Sequence, residues 1–273
     1  MDAESIRPTV ILPQGKVVGI QLNGTFPEPV DAFLGIRYAL PPVGDLRFRP
    51  AVKIPKSADT IDASKYGPAA PGKSLLPGGP KLEQSEDCLT ANVFRRSGAN
   101  GKSSTDKLPV AIYVHGGAFN RGSASMHNTA SMVAWSEEPF VAVSFNYRLG
   151  ALGFLPSSVT KNEGLLNLGL RDQILLFQWV QENIEAFGGD PGNVTLFGLS
   201  AGAHSVSRIY FPWTRFWVAN QSGRLDTIFS IMRRIASLCF IVSLLNLDHP
   251  LLERFVLTMQ GSMNSNSRTF CNK

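Results

Sequence analysis

The sequence contains few of the residues that build metal centres and disulfide frameworks. The 273-residue chain has 3 cysteines and 4 histidines. They are Cys88, Cys239 and Cys271, and His115, His127, His204 and His249. Neither set has the close, repeated spacing of a zinc site or of a disulfide-stapled domain. We therefore expect no metal and no other cofactor.

A long hydrophobic run is also missing. The segment Ile235–Leu247 carries no charge, but it is shorter than the roughly 20 residues that a membrane-spanning helix needs. We expect a buried or membrane-peripheral helix there, and we do not expect a membrane among the partners. The first residues, Met1–Gly19, contain acids and lack the apolar stretch of a secretory leader. The sequence therefore predicts a cytoplasmic protein.

Acidic residues are scarce only in the last part of the chain. The formal net charge is +5, and residues 206–273 account for all of it. Their basic side chains are scattered and form no patch or motif of a nucleic-acid-binding protein. We therefore expect no nucleic-acid partner. The positive charge indicates that the composition of the chain changes after residue 205.

Apolar patterns predict an α/β fold before that boundary. Unbroken apolar runs predict buried strands, and apolar residues at helical spacing predict a helix. The predicted strands are Leu108–Val114, Phe140–Phe145 and Val194–Phe197, and the predicted helix is Asn167–Phe187. Two β-rich stretches, Val10–Leu22 and Val30–Leu34, predict a small antiparallel N-terminal piece. We expect a mostly parallel sheet with flanking helices.

The most specific motif is Gly198-Leu199-Ser200-Ala201-Gly202, a G-x-S-x-G sequence. It follows a turn, Asp190–Asn193, and an apolar strand, and it precedes helical sequence, which is the context of a nucleophile elbow. Such a turn is tight, so the serine takes strained backbone angles and the flanking glycines keep side chains away. The motif predicts that the Ser200 hydroxyl stands clear of the sheet, close to N–H groups at a helix start.

Five stretches resemble the type-B carboxylesterases, an α/β-hydrolase family that includes fungal lipases and cholinesterases. These stretches are Phe33–Pro50, Glu86–Phe94, His115–Phe119, Asn146–Leu155 and Phe187–Gly202. The resemblance implies an α/β-hydrolase fold, with a partial carboxylesterase domain over residues 8–205 and a divergent tail over residues 206–273. It also implies hydrolysis of a small-molecule carboxylic ester through an acylated serine.

The resemblance assigns roles to residues of two motifs. It implies that Ser200 is the nucleophile. The oxyanion hole would consist of the backbone N–H groups of Gly117, Ala118 and Ala201, with Gly116, Gly198 and Gly202 in support. A Gly-Gly turn directly after a strand can bring amides close to an acyl oxygen. We expect His115, which leads this turn, to anchor it by hydrogen bonding rather than to act as a base.

Other positions depart from the cholinesterase pattern or look structural. Leu199 stands where cholinesterases have a glutamate, and the 71–87 loop lacks a tryptophan for a quaternary ammonium, so we do not expect cholinesterase activity. Cys88 pairs with an upstream cysteine in the family, and because none is present here we expect a free thiol. Asp172 and Arg171, on the predicted helix, look like a structural pair.

The acid and the base of a catalytic triad are not evident. In the family they follow the serine along the chain, and residues 206–273 resemble none of that half. His204, one helical turn after Ser200, is expected to point along the helix. Asp248, His249 and Glu253 lack a strand-end context. We therefore expect a truncated fold with an open strand edge beside the elbow, and a hydrolase that is inactive as written.

Two other interpretations stay open. One is a non-catalytic interaction module, because relatives of these enzymes that lost the triad serve in adhesion, although the intact Ser200 motif speaks against it. The other is a gene-model fragment with a membrane-associated tail, which depends on the apolar segment Ile235–Leu247.

Overall fold

A computed structural model describes residues 7–24, 26–74, 81–98 and 107–217 of the chain, with residues 210–217 as backbone only. The predicted tail segment Ile235–Leu247 lies outside the described residues, as do Asp248, His249 and Glu253. No helix in the described ranges is long and apolar enough to cross a membrane.

Strands and helices alternate in the second half of the described chain. The strands are β1 Thr9–Leu12, β2 Gly15–Val18, β3 Ile20–Leu22, β4 Val30–Arg37, β5 Thr60–Asp62, β6 Thr90–Arg96, β7 Leu108–Val114, β8 Val141–Phe145 and β9 Gly189–Gly198. The α-helices are α1 Thr129–Ala134, α2 Gly150–Phe154, α3 Ser158–Asn162, α4 Leu168–Asn183 and α5 Ala201–Trp217. A 3-10 helix, Ile184–Phe187, continues from α4.

The larger sheet has six strands in the order β3-β4-β6-β8-β7-β9. Neighbours from β3 to β8 pair antiparallel, whereas β8 with β7 and β7 with β9 pair parallel. The described sheet is therefore mixed and not mostly parallel as expected, because it is parallel only where helices α1 and α4 supply the crossovers that parallel strands require. Among the described residues β9 has one strand neighbour, β7, so β9 is an edge strand. This is the open strand edge that we expect from the sequence.

The predicted antiparallel N-terminal piece is divided between two sheets. Strands β1 and β2 pair antiparallel and β5 joins β2 in parallel, which makes a separate three-stranded sheet. Strands β3 and β4 extend the larger sheet instead. The chain passes between the sheets at Gly19, where a side chain would not fit because a Cβ would lie 2.5 Å from Ala32 O.

Helix α5 and strand β9 both extend beyond the bounds that the sequence predicts. Strand β9 begins at Gly189 because Gly189 pairs with Leu108, before the predicted turn. The next pair is Val194 with Val110, so residues 190–193 bulge out of the sheet as a local turn inside the strand. Helix α5 continues to Trp217, past the predicted domain boundary at residue 205, and that boundary stays a prediction.

Strands β7 and β8 are buried on both faces, which explains their unbroken apolar sequences. On one face, Ile112 and Val143 pack in the same cluster as Trp179 and Leu176 of α4. On the other face, Ala142 packs with Val133 of α1. Because each buried aliphatic side chain stabilises the fold by roughly 1.5–3 kcal/mol, the two helix layers hold the carboxyl ends of β7 and β8 in place.

Asp172 pairs with Arg148, and the predicted pairing with Arg171 is wrong. Arg148 Nη2 lies 2.6 Å from Asp172 Oδ1 and its Nε lies 2.8 Å from Oδ2, with both side chains almost fully buried. Successive helix residues point in directions about 100° apart, so Arg171 faces outward and donates to Gly164 O instead. The ion pair joins α4 to the segment that follows β8.

We expect the substitution Asp172→Asn to lower the free energy of unfolding by about 3–5 kcal/mol, because it leaves the Arg148 guanidinium buried without its counter-charge. The matched control is Glu182→Gln on the same helix, which removes an exposed ion pair with Lys53 and should cost under about 1 kcal/mol. Urea unfolding of both variants measures the difference. Equal losses would contradict the structural role given to the buried pair.

Candidate active site

The candidate site is built around the turn between β9 and α5. Ser200 occupies this turn with a φ of 53° and is exposed to solvent. A non-glycine residue in this left-handed region costs about 1–3 kcal/mol of strain. Hydrogen bonds from Gly202 N to Leu199 O (2.8 Å) and from His204 N to Ser200 O (3.0 Å) close the turn on both sides of the serine.

Glycines on both sides of Ser200 let the turn lie directly against the end of β7. A Cβ on Gly202 would overlap Val114 O, and a Cβ on Gly198 would lie 2.8 Å from the same oxygen. Any side chain at either position would push the turn away from β7. The backbone of the turn and the backbone of the neighbouring strand are therefore in direct contact.

The segment after β7, residues His115–Ala124, lies beside this turn and is called here the Gly-Gly turn. A Cβ on Gly116 would lie 2.5 Å from Leu199 O and 3.3 Å from Ser200 Cβ. Three consecutive residues of the Gly-Gly turn have positive φ, namely Gly117 (119°), Ala118 (52°) and Phe119 (59°). The sequence motifs at 116–119 and 198–202, which are far apart along the chain, are thus neighbours in space.

The two turns present backbone N–H groups without acceptors. Within the part of the chain that the structure describes, the N–H groups of Gly117, Ala118 and Ala201 donate to no backbone or side-chain oxygen. Ala201 is the first residue of α5, where the helix cannot supply an acceptor. Amides without an acceptor at a helix start and at a tight turn are suited to bind an anionic oxygen.

His204 does not face the Ser200 hydroxyl. Its Nδ1 lies 2.9 Å from Ser200 O, so the ring donates to the backbone of the preceding turn, as the sequence led us to expect. Within the described ranges, no histidine or carboxylate is hydrogen-bonded to Ser200 Oγ. The described residues therefore bring the serine turn and the Gly-Gly turn together, without an acid or a base hydrogen-bonded to the serine hydroxyl.

Comparison with known proteins gives the family of the chain. The Carboxylesterase family profile matches residues 6–214. The chain belongs to the carboxylesterase family. This confirms the family resemblance and the predicted α/β-hydrolase fold class.

The chain spans less than two fifths of the length of each relative named here. It is 46% identical over 203 residues to secreted lipase 4 of Gibberella zeae, covering 72% of this chain and 36% of that protein. It is 42% identical over 200 residues to the para-nitrobenzyl esterase of Bacillus subtilis, covering 71% and 38%. The crystal structure of Aspergillus niger EstA matches with a TM-score of 0.65 and 40% identity, covering 75% of this chain and 38% of that chain.

The sequence analysis also made predictions about the location of the protein and about metal binding. The Gibberella zeae relative is named as a secreted protein, which does not support the expected cytoplasmic location of this family member. In the described residues, no three His, Cys, Asp or Glu side chains lie close enough together to hold a metal ion. That the protein uses no metal stays a prediction.

Cys88 is a buried free thiol in this carboxylesterase-family chain. Burial raises the pKa of its thiol to about 12. The thiolate, which is the reactive form of cysteine, is therefore strongly disfavoured at neutral pH. Cys88 consequently packs as a small apolar residue in the core next to the Arg148–Asp172 pair.

His115 anchors the Gly-Gly turn of this family member from inside the protein. Its ring Nδ1 lies 2.8 Å from Gly116 O, and its Nε2 is buried without a hydrogen-bond partner. Burial lowers the pKa of the imidazole to about 4, so the ring is neutral at physiological pH. Because a neutral ring has one N–H, Nδ1 carries the proton that bonds Gly116 O. Sequence reasoning missed the partner of this ring, Tyr147, whose ring stacks on it with 4.4 Å between the ring centroids.

The buried imidazole predicts acid sensitivity. The unfolded chain binds a proton at His115 below about pH 6.5, whereas the folded chain does so only near pH 4. The contribution of His115 to the free energy of unfolding is therefore fully present above pH 6.5. It falls by roughly 3 kcal/mol as the pH drops to 4. Urea unfolding of the wild type and of His115→Gln between pH 7 and pH 4 tests this. We expect the variant to lose less stability on acidification, and parallel curves for both proteins would contradict it.

Proposed function

We propose that this chain carries the acylation site of a serine carboxylic ester hydrolase. The observation that supports it best is the combination at one place of an exposed, backbone-strained serine and unpaired amides. Ser200 supplies the nucleophile, and the N–H groups of Gly117, Ala118 and Ala201 supply the oxyanion hole. The strain matters because a serine without a chemical role gains nothing from angles that cost about 1–3 kcal/mol.

The reaction follows from these groups. Ser200 Oγ forms a bond to the ester carbonyl carbon, and the negative charge that develops on the carbonyl oxygen is stabilised by the three amides. The bond to the alcohol then breaks, and the serine proton passes through a base to the leaving alcohol. Water releases the acid from the acyl-enzyme by the same route. No metal or cofactor is needed in this scheme.

The base and the acid of the triad are the part of the proposal that the described residues do not supply. The family resemblance puts both beyond Ser200 in the chain. Without a base, the rate constant of acylation falls about a million-fold, which corresponds to roughly 8 kcal/mol of barrier. We therefore propose that the described residues supply the nucleophile and the oxyanion hole, and that fast hydrolysis also requires the base and the acid.

The substrate class that we propose is a carboxylic ester of an uncharged alcohol. The relatives include proteins named as a lipase and as a para-nitrobenzyl esterase. The apolar side chain of Leu199 stands next to the nucleophile and offers no negative charge to a cationic alcohol. A non-catalytic interaction module is less well supported, because it would not need the strained angles of Ser200 and Ala118.

Covalent labelling with a fluorophosphonate tests the proposal. We expect prolonged incubation to give an adduct on Ser200, identified by mass spectrometry of the digested chain, and none at this position in Ser200→Ala. Added imidazole, which can act as the base that the described residues do not supply, should increase the labelling rate. The proposal fails if Ser200 carries no adduct in either condition while the protein is folded.

A further inference from the structure

The Gly-Gly turn needs support from outside, because its own hydrogen bonds are few. Gly117 O accepts from Asn120 N and Arg121 N, both at 3.1 Å. Three successive residues with positive φ would relax in an unsupported loop. From outside, Gly150 N donates to Phe119 O at 2.7 Å and Lys73 N donates to Asn120 O at 2.9 Å, which holds the middle of the turn. The Gly117 and Ala118 amides precede these contacts, so their position depends also on the residues that hold the two ends of the turn.

Tyr147 holds the first end of the turn. Its hydroxyl donates to His115 O at 2.8 Å, and its ring stacks on the His115 ring with an interplanar angle of 21°. The His115 ring in turn donates to Gly116 O. The Gly116 carbonyl and the Gly117 N–H belong to one planar trans peptide and point in opposite directions. A Gly116 carbonyl fixed toward the imidazole therefore keeps the Gly117 N–H directed away from it.

Asn146, the preceding residue, holds the other end of the turn. Its Oδ1 accepts from Ala124 N at 2.8 Å and from Ser123 Oγ at 3.2 Å. Its Nδ2 donates to Pro68 O at 3.0 Å, which ties the neighbouring 67–74 segment to the same side chain. Asn146 is almost fully buried, so these bonds are shielded from competing water.

The residues that hold the turn are themselves fixed. Asn146 N donates to Thr90 O at 3.0 Å, and Asn146 O accepts from the Tyr38 hydroxyl at 2.7 Å. The next residue but one, Arg148, is locked by its buried ion pair with Asp172. The short segment after β8 is therefore a rigid support beside a strained turn.

We propose that Asn146 and Tyr147 together form a clamp that positions the oxyanion amides for Ser200. Asn146 and Tyr147 are positioning residues in this proposal, since they act through the Gly-Gly turn and do not touch the substrate. The proposal rests on the function proposed above for Ser200. It gives a role to the Asn146–Leu155 motif, which the acylation chemistry alone leaves unexplained.

The variant Tyr147→Phe tests the clamp by removing a single oxygen while an aromatic ring remains to stack on His115. We expect the rate of Ser200 labelling by the fluorophosphonate to fall about tenfold, because the oxyanion amides lose their alignment. We also expect faster amide hydrogen exchange in residues 115–124, measured by mass spectrometry. If general instability caused the slower labelling, hydrogen exchange would be faster in other segments as well as in residues 115–124.

The control is Ser97→Ala, which also removes one hydroxyl: Ser97 Oγ donates to Asp31 Oδ1 at 2.6 Å and accepts from Gln21 Nε2 at 3.0 Å. Ala91 pairs with Phe145 and the chain runs away from there along β6, so Ser97 lies at the opposite end of the sheet. Ser97→Ala should leave both the labelling rate and the exchange of residues 115–124 unchanged. Equal labelling rates of the two variants would overturn the clamp.

The two readouts separate the clamp from the proposed function. If the wild-type chain gives no Ser200 adduct, the proposed function fails and hydrogen exchange alone decides the clamp. Faster exchange of residues 115–124 in Tyr147→Phe than in Ser97→Ala then supports it, and equal exchange overturns it. If the wild type labels and Tyr147→Phe labels at the same rate, the clamp is overturned while the hydrolase proposal stands.

Discussion

The candidate site depends on one contact, in which the backbone of the Ser200 turn lies against the backbone that leaves β7. There is no room for a Cβ on Gly202 or Gly198 beside Val114 O. There is likewise no room for one on Gly116 beside Leu199 O. Glycine is the residue that permits such an approach. Because the two backbones touch, a serine and amides from two distant motifs come together without any side chain between them.

The rest of the fold keeps this contact in register. Parallel pairing of β7 with β8 and β9 brings three carboxyl ends to one edge of the sheet, where α/β proteins commonly place their ligands. The buried helices α1 and α4 hold the two faces. The Arg148–Asp172 pair and the side chains of Asn146 and Tyr147 then fix the loops at that edge. Strain at Ser200 and Ala118 can persist because packed structure surrounds it.

Local patterns in the sequence predicted strands β7, β8 and β9, helix α4 and the serine turn. The run Leu108–Val114 became β7 with the predicted bounds, because a strand buried on both faces has an unbroken apolar sequence. Contacts between distant residues could not be read in this way. The partner of Asp172 is Arg148 rather than its neighbour Arg171, and the hydrogen bond from Tyr147 to His115 joins two strand ends. Such contacts depend on sheet order, which a local pattern does not contain.

The most direct test of the account is the structure of the chain after fluorophosphonate treatment. The central claim is that the glycine-mediated contact places the amides of Gly117, Ala118 and Ala201 around one oxygen bound at Ser200. We expect the phosphonyl oxygen of the Ser200 adduct to lie within about 2.7–3.1 Å of these N–H groups. A phosphonyl oxygen that points to solvent, with the three amides bonded elsewhere, would contradict the claim.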